Sequence, residues 1–283
     1  MNLRGALSRL PVRLVALFVA LALVDVAFQI APSLVMPRDH GPARAAVQIL
    51  GALVLAAAMI VAYRFLIRYS EQRGAEELAA RHALGSVLLG TLGGVGLFLV
   101  VFLILLASGV AALHGVGSPA GLPAALAIGI GAAVGEEIVF RGVLFRLLEQ
   151  GLGTSLALAL SAAAFGLLHA FNPGATVVST LAIAAESGVL MGVAYSASRT
   201  LWVPIGLHFG WNFTEGGIFG AAVSGGQYTG LLGTSFSGPR ILTGGEFGPE
   251  ASILAVLVSV IASLGVAWIA QRRGRWRERS RAA

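Results

Sequence analysis

Between Ala83 and Leu113 the chain carries no charged residue, and the centre of that run reads Leu97-Phe-Leu-Val-Val-Phe-Leu-Ile-Leu-Leu106. A bilayer core is crossed by about 20 apolar residues in a helix, so this run is long enough to span one. Several other runs of similar character follow. Backbone polar groups in lipid must be satisfied within the segment, which leaves helices or closed barrels. The alternating ten-residue strands of a barrel are absent from the sequence, so the expectation is an all-α polytopic membrane protein.

Composition narrows the remaining classes. Of 283 residues, 57% are hydrophobic and 11% charged, with a mean hydropathy of +0.87. Soluble domains carry about 25% charged residues, so a large soluble enzyme is excluded. The low charge excludes a disordered chain, and the absence of Cys excludes a disulfide scaffold. The net charge of +6 comes from Arg, since the chain has no Lys. Arg272, Arg273, Arg275, Arg277, Arg279 and Arg281 crowd the end of the sequence, directly after an apolar run. That placement suits a cytoplasmic anchor on anionic lipid rather than a nucleic-acid site.

About eight transmembrane helices are expected, near 12–31, 45–67, 84–113, 122–150, 155–171, 175–197, 201–220 and 250–271. The first follows Arg4, Arg9 and Arg13 as a signal peptide would, but the further spans behind it favour an uncleaved helix. With the N-terminus inside, the cytoplasmic regions hold those three Arg, then Arg64, Arg68, Arg73 and Arg81, then Arg146, Arg199 and the tail. The outer loops hold only Arg38, Arg44 and Arg240. This satisfies the positive-inside rule and places both termini in the cytoplasm of a multi-pass plasma or inner membrane protein. Three regions are foreseen: helices one to three with their connector (1–121), a core of helices four to seven (122–216), and the rest (217–283). The connector from Tyr69 to His82 should extend a helix, with Glu77 and Arg81 paired at i,i+4. The segment from Ala221 to Pro249, with eight Gly, is expected to be partly ordered. The small pairs Gly131/Gly135, Gly188/Gly192 and Gly206/Gly210 suit close helix contact.

An ionisable group at mid-bilayer costs roughly 2.5–3.5 kcal/mol even on an insertion scale. Segments four to seven nevertheless hold Glu136, Glu137, Arg141, His169, Glu186, His208 and Glu215, which points to one shared interior site. Glu137 and Arg141 stand one turn apart and should pair. Glu136 projects about 100° away and is a surplus carboxylate free for another task. His169 closes an apolar helix just before Asn172-Pro173-Gly174. Pro204 suits a helix start, after which His208 and Asn212 share a face at i,i+4.

In combination, Glu136-Glu137-xxx-Arg141, Phe165-xxx-His169 and His208-xxx-Asn212 resemble the CPBP family. These are the CAAX-processing and bacteriocin-processing intramembrane proteases, including the Ras-converting-enzyme type. The likeness runs from about Leu122 to Phe213 and includes the Arg199-Thr-Leu-Trp-Val-Pro204 lead-in. The resemblance implies a hydrolase that cuts membrane-embedded or lipid-anchored protein or peptide substrates. Carried onto this chain, Glu136 would activate water, His169 would help to hold it, and His208 with Asn212 would stabilise the oxyanion. Glu137 and Arg141 would brace the site. A base, a held water and preorganised donors are what peptide hydrolysis requires.

Three alternatives remain open at this stage. Zinc on Glu136, His169 and His208 would leave one open position, although Asn212 would then lack a role, so no cofactor is favoured. A non-enzymatic immunity or scaffold protein is one rival. A proton-coupled transporter using Asp25 and Glu186 is the other. Helix counting also sets His208 nearer the cytoplasm and His169 nearer the outside, so a common site requires shifted helix ends.

Overall fold

The computed structural model describes residues 10–35 and 41–278, with side chains placed for 10–24 and 41–278. Arg4, Arg9, Arg38, Arg279 and Arg281 lie outside the described residues, and Asp25 lies where only the backbone is described. Among the described residues helices predominate. They are α1 (Leu10–Val35), α2 (Pro42–Glu71), α3 (Ala83–Ala107), α4 (Leu122–Glu137), α5 (Arg146–His169), α6 (Val177–Ile183), α7 (Val189–Ser198), α8 (Trp202–Asn212), α9 (Arg240–Thr243) and α10 (Ile253–Arg272). Five helical stretches among the described residues are long and apolar enough to cross a membrane: Pro42–Glu71, Ala80–Ala107, Pro119–His169, Val177–Ser198 and Ile253–Arg272. Their outward faces carry apolar side chains such as Val61, Phe65, Leu89 and Leu92, as helices facing lipid require.

The stretch from 119 to 169 contains two of the foreseen segments. Gly153, at φ 74° and ψ 169°, interrupts its helical geometry, and that backbone conformation needs a glycine. Glu136 and His169 would lie about 50 Å apart along a straight helix. They meet instead, so the chain doubles back at this point.

Three wide π turns interrupt the core helices. Ile138–Phe145 joins α4 to α5, Ala184–Gly188 joins α6 to α7, and Phe213–Ile218 continues α8. Each contains a buried ionisable residue: Arg141, Glu186 and Glu215 respectively. Such turns concentrate at functional sites.

The helix carrying His208 is set by close backbone approach. A Cβ added to Gly206 would stand 2.2 Å from the Val87 carbonyl oxygen, and one added to Gly210 would stand 2.3 Å from that of Thr91. Gly90 and Gly94 of α3 meet α8 equally closely from the other side. Of the foreseen small pairs, Gly206/Gly210 is therefore a true contact surface, whereas Gly131 touches only the Leu55 side chain and faces a cavity.

Two features depart from the sequence expectation. A small antiparallel sheet joins β1 (Ala111–Val116) to β2 (Leu232–Phe236), with Ala111 opposite Phe236 and a bulge beyond Leu113. It ties the loop before α4 to the Gly-rich segment, which is ordered along its length. The connector after α2 is not a helical extension, and Glu77 does not pair with Arg81. The helix ends at Glu71, and two short 3₁₀ turns, Glu76–Leu78 and Ala80–His82, fold inward instead. Buried Glu77 meets Arg73 with two bonds of 2.9 Å, while exposed Arg81 bonds His82 at 3.0 Å and Glu76 at 3.5 Å. Folding inward lets Glu77 serve a larger network. Tyr63 donates to it, Arg73 also bonds Glu71 at 2.8 Å, and Arg146 grips Glu71 at 2.6 and 2.9 Å.

A second cluster forms at the same end of the molecule. Arg199 donates to Glu149 at 2.5 Å, and Thr154 donates to the same carboxylate at 2.6 Å. The tail turns back here through Arg277, whose backbone exchanges 2.9 Å bonds with Thr154. Arg275 donates to the Ala197 carbonyl, so these two Arg are engaged with protein, while Arg272 and Arg273 stay exposed.

Candidate active site

The four foreseen catalytic residues line one cavity of about 530 Å³. Glu136, in the last turn of α4, lines it with a side chain that is 18% exposed. Opposite lies His169, the last residue of α5, with its Nε2 3.9 Å from Glu136 Oε2. His169 Nδ1 donates to the Phe165 carbonyl at 2.9 Å, because a carbonyl can only accept. In the neutral ring Nε2 is then a lone-pair acceptor facing the carboxylate. A separation of 3.9 Å is too long for a direct hydrogen bond and suits a bridging water.

Glu137 points away from the cavity and is fully buried. Its Oε1 accepts from Arg141 at 2.8 Å, the pair foreseen from the spacing, and also from His208 Nδ1 at 3.0 Å. The second bond was not foreseen. It fixes the His208 ring and leaves Nε2 available to the cavity. Arg141 reaches further, donating to the Ser187 and Gly188 carbonyls at 3.0 and 3.2 Å and lying 4.5 Å above the Phe165 ring. One guanidinium thus ties together the three stretches that carry Glu136, His169 and Glu186.

Convergence of His169 with His208 resolves the mismatch in helix counting. The inward fold of the connector supports the start of α8, with Leu201 N–H donating to the Glu77 carbonyl at 2.8 Å and the Trp202 indole to Ala79 at 3.2 Å. Buried Glu77 and Leu78 lie beneath it. Helix α8 therefore begins inside the bundle, and its seventh residue, His208, reaches the depth of His169.

The Gly-rich segment covers the cavity and supplies residues that no motif announced. Ser224 and Tyr228 line it together with Asn172, whose amide donates to the Ser224 carbonyl at 3.0 Å. Gly225, at φ +83°, lets the segment pass Pro173 so closely that a Cβ would stand 2.0 Å from its carbonyl oxygen. The Ser224 N–H and hydroxyl both donate to Glu250, at 2.6 and 2.8 Å. Burial pushes the Glu250 carboxyl above its usual range. Burial, followed by the charges of Glu250 and Glu215, pushes the Tyr228 hydroxyl up to about 12, so it stays a neutral donor. Buried beside His169, His208 and Trp211 lie Glu186 and Glu215. Glu215 accepts from the Trp211 indole at 2.9 Å and from the Glu250 N–H at 3.2 Å. The clue to this segment was Gly content beside an interior acidic cluster, which signals order without naming contacts.

Among the described residues, no three His, Asp or Glu side chains are grouped as metal ligands. Glu136, His169 and His208 face a common space, with Glu136 Oε2 and His169 Nε2 3.9 Å apart. The set of a free carboxylate, an accepting imidazole and an anchored imidazole beside Asn212 fits an activated water with an oxyanion site.

Residues 118–214 match the family described as Rce1-like, type II CAAX prenyl endopeptidase. No curated protein and no solved structure matches the chain. The matched stretch begins just before α4 and ends beyond Asn212, so it contains all seven named residues of the three motifs. This agrees with the apolar helices in marking a membrane protein of CAAX protease-like, hydrolase character. The third of the chain that carries the three motifs is thus Rce1-like, as those motifs suggested.

Proposed function

We propose that this protein is an intramembrane endopeptidase that uses a carboxylate-activated water and needs no metal. A water between Glu136 and His169 loses a proton to Glu136 as its oxygen attacks the scissile carbonyl carbon. The oxyanion so formed accepts hydrogen bonds from Asn212 and from Nε2 of a protonated His208, whose Nδ1–H is held by Glu137. Glu136 then returns the proton to the leaving nitrogen as the C–N bond breaks. Base catalysis and preorganised donors each gain force in a site shielded from bulk water. Glu137 and Arg141 position the reacting groups and do not touch the peptide.

The observation that carries this reading is the 3.9 Å gap between Glu136 Oε2 and His169 Nε2 at the cavity wall. The proposal includes eight spans with both termini in the cytoplasm of the cell membrane, and anionic lipid near Arg272 and Arg273. Its test is cleavage of a membrane-peptide mixture by purified protein, with bound zinc measured on the same sample. Wild type should cut and Glu136→Gln should not. Uncut peptides with wild type, or equal cutting by both, would overturn the reading. Stoichiometric zinc released by Glu136→Gln would replace the metal-free mechanism with a zinc one.

A further inference from the structure

The end of the bundle away from the cavity is closed. Tyr63, Glu71, Arg73, Glu77 and Arg146 fill it with side-chain bonds, and Arg64 adds a 2.7 Å bond to the Leu78 carbonyl. The cavity end is held differently, by the buried carboxylate of Glu250, which meets no Arg among the described residues. Resting on the endopeptidase reading, we infer that Glu250 is a positioning residue, which holds the water-binding and oxyanion-binding halves of the site in register through Ser224. Both residues lie outside the stretch 118–214 that matches the family.

A continuous run of hydrogen bonds joins the two halves. Trp211, next to Asn212 on α8, donates its indole N–H to Glu215 at 2.9 Å, and Glu215 accepts the Glu250 N–H at 3.2 Å. Glu250 Oε1 accepts both the N–H and the hydroxyl of Ser224, at 2.6 and 2.8 Å. The Ser224 carbonyl accepts from the Asn172 side chain at 3.0 Å, and the Asn172 N–H donates to the His169 carbonyl at 3.2 Å. The helix of His208 and Asn212 is thereby tied to the end of α5 without passing through either imidazole. Glu250 stands in the middle of this run, and its bonds go to Ser224 and Glu215 rather than to Glu136 or the two His.

The backbone of Ser224 is a second, independent sign. Its φ of +48° is uncommon for a residue with a side chain, and such a conformation persists only where its surroundings over-determine it. Glu250 supplies two bonds to this one residue, and the neighbouring Gly225 N–H adds a 2.8 Å bond to the Phe247 carbonyl. Ser224 and Glu250 also border the small void that His169, His208 and Asn212 line. A shift at Ser224 is therefore felt on both sides of the site. Misplacing reacting groups by about 1 Å costs about 10²-fold in rate, so a residue that fixes this spacing acts on turnover without touching the peptide.

The test uses the full chain in detergent and a quenched fluorescent peptide carrying a bond that wild type cuts in the membrane-peptide mixture. Glu250→Leu fills similar space and removes the acceptor, so kcat should fall about 10²-fold with KM little changed. Glu250→Gln keeps an accepting oxygen for Ser224 and should recover kcat to within a few-fold of wild type. Because the chain has no Cys, a single nitroxide on Gln227→Cys, in the exposed part of the covering segment, reports how firmly that segment is held. Its spectrum should sharpen in Glu250→Leu and not in Glu250→Gln. If Glu250→Leu fails to fold, Asn172→Ala cuts the same run beyond Ser224, and it must lower kcat and sharpen the same spectrum. An unchanged kcat in a folded variant, or an effect on KM alone, overturns the positioning role and leaves the protease reading standing. Equal losses in Glu250→Gln and Glu250→Leu overturn it as well, since the carboxyl would then act through its charge or proton. An immobile label in Glu250→Leu overturns the route through Ser224. No cutting by wild type removes the protease reading and this inference with it.

Discussion

The two ends of this bundle treat buried carboxylates in opposite ways. At the closed end Glu71, Glu77 and Glu149 each meet a guanidinium at 2.9 Å or less. At the cavity end Glu136, Glu186, Glu215 and Glu250 have no ion pair with an Arg among the described residues, and their polar neighbours are His, Trp, Ser or backbone N–H groups. Paired charges at the closed end lock the connector, the Gly153 turn and the tail together. Unpaired carboxylates are costly to bury, and their concentration around one cavity marks where the fold serves chemistry. Glu137 belongs to both regimes, since it sits at the site yet is paired with Arg141.

The comparison is broken most directly at Glu136. Glu136→Gln keeps shape and removes the only proposed base, and general acid–base catalysis is worth about 10²–10⁴-fold. Turnover should fall on that scale, with the thermal midpoint in detergent unchanged. A large fall in stability would show that Glu136 belongs with the paired, structural carboxylates. Asn212→Ala removes one oxyanion donor, which typically costs about 10²–10³ in kcat. The loss should appear in kcat with little change in KM.

Glu137→Gln tests the intermediate case. It leaves Arg141 buried without its counter-charge, and breaking such a pair costs about 3–5 kcal/mol. Stability should drop together with turnover, because His208 also loses its anchor. Neutral residues at both 137 and 141 should restore part of the stability and none of the activity. A stable Glu137→Gln protein with no turnover would mean that base and brace are assigned the wrong way round.

The closed end offers a smaller, pH-dependent effect. Burial alone would raise the Glu77 carboxyl, but bonds from Arg73 and Tyr63, with the nearby Arg146 charge, hold it below the usual carboxylate range. A group depressed in the folded state stabilises fully above its unfolded pKa, near 4.3 for Glu, and that contribution fades as pH falls through the folded value. The thermal midpoint should therefore decline on acidification below about pH 4. Glu77→Gln should lower the midpoint at pH 7 and flatten the acid decline. An unchanged slope would show that Glu77 is not the titrating group.

Much of the site was legible because an ionisable residue inside an apolar run has few innocent explanations. Glu136, Glu137, Arg141, His169, His208 and Asn212 all stood out; four of them line one cavity, and Glu137 pairs with Arg141 beside it. The i,i+4 rule found Glu137 with Arg141 because both lie on one helical face. The same rule failed for Glu77 and Arg81, because the connector is not helical there and Glu77 turns inward to Arg73. The Glu137–His208 bond spans 71 positions, and no local periodicity reports a contact of that range. The β1–β2 pairing was hidden for a similar reason, since its strands are short and separated by the helices that carry the three motifs.

The smallest effect is expected at Glu186, and it sharpens the comparison from within the unpaired set. Its Oε2 is buried without a hydrogen-bond partner, and it shares a void of about 10 Å³ with His169 and His208, hardly enough for one water. It does not line the main cavity, so a peptide there would not touch it. The π turn that carries it serves the site through the Ser187 and Gly188 carbonyls, which hold Arg141 whatever side chain stands at 186. Glu186→Gln preserves shape and removes a carboxyl that no Arg balances, so stability should hold or rise. Turnover should stay within a few-fold of wild type, as expected for a packing residue. A loss as deep as that of Glu136→Gln, in a protein of normal stability, would move Glu186 into the reaction and make the void behind the two His part of the catalytic path.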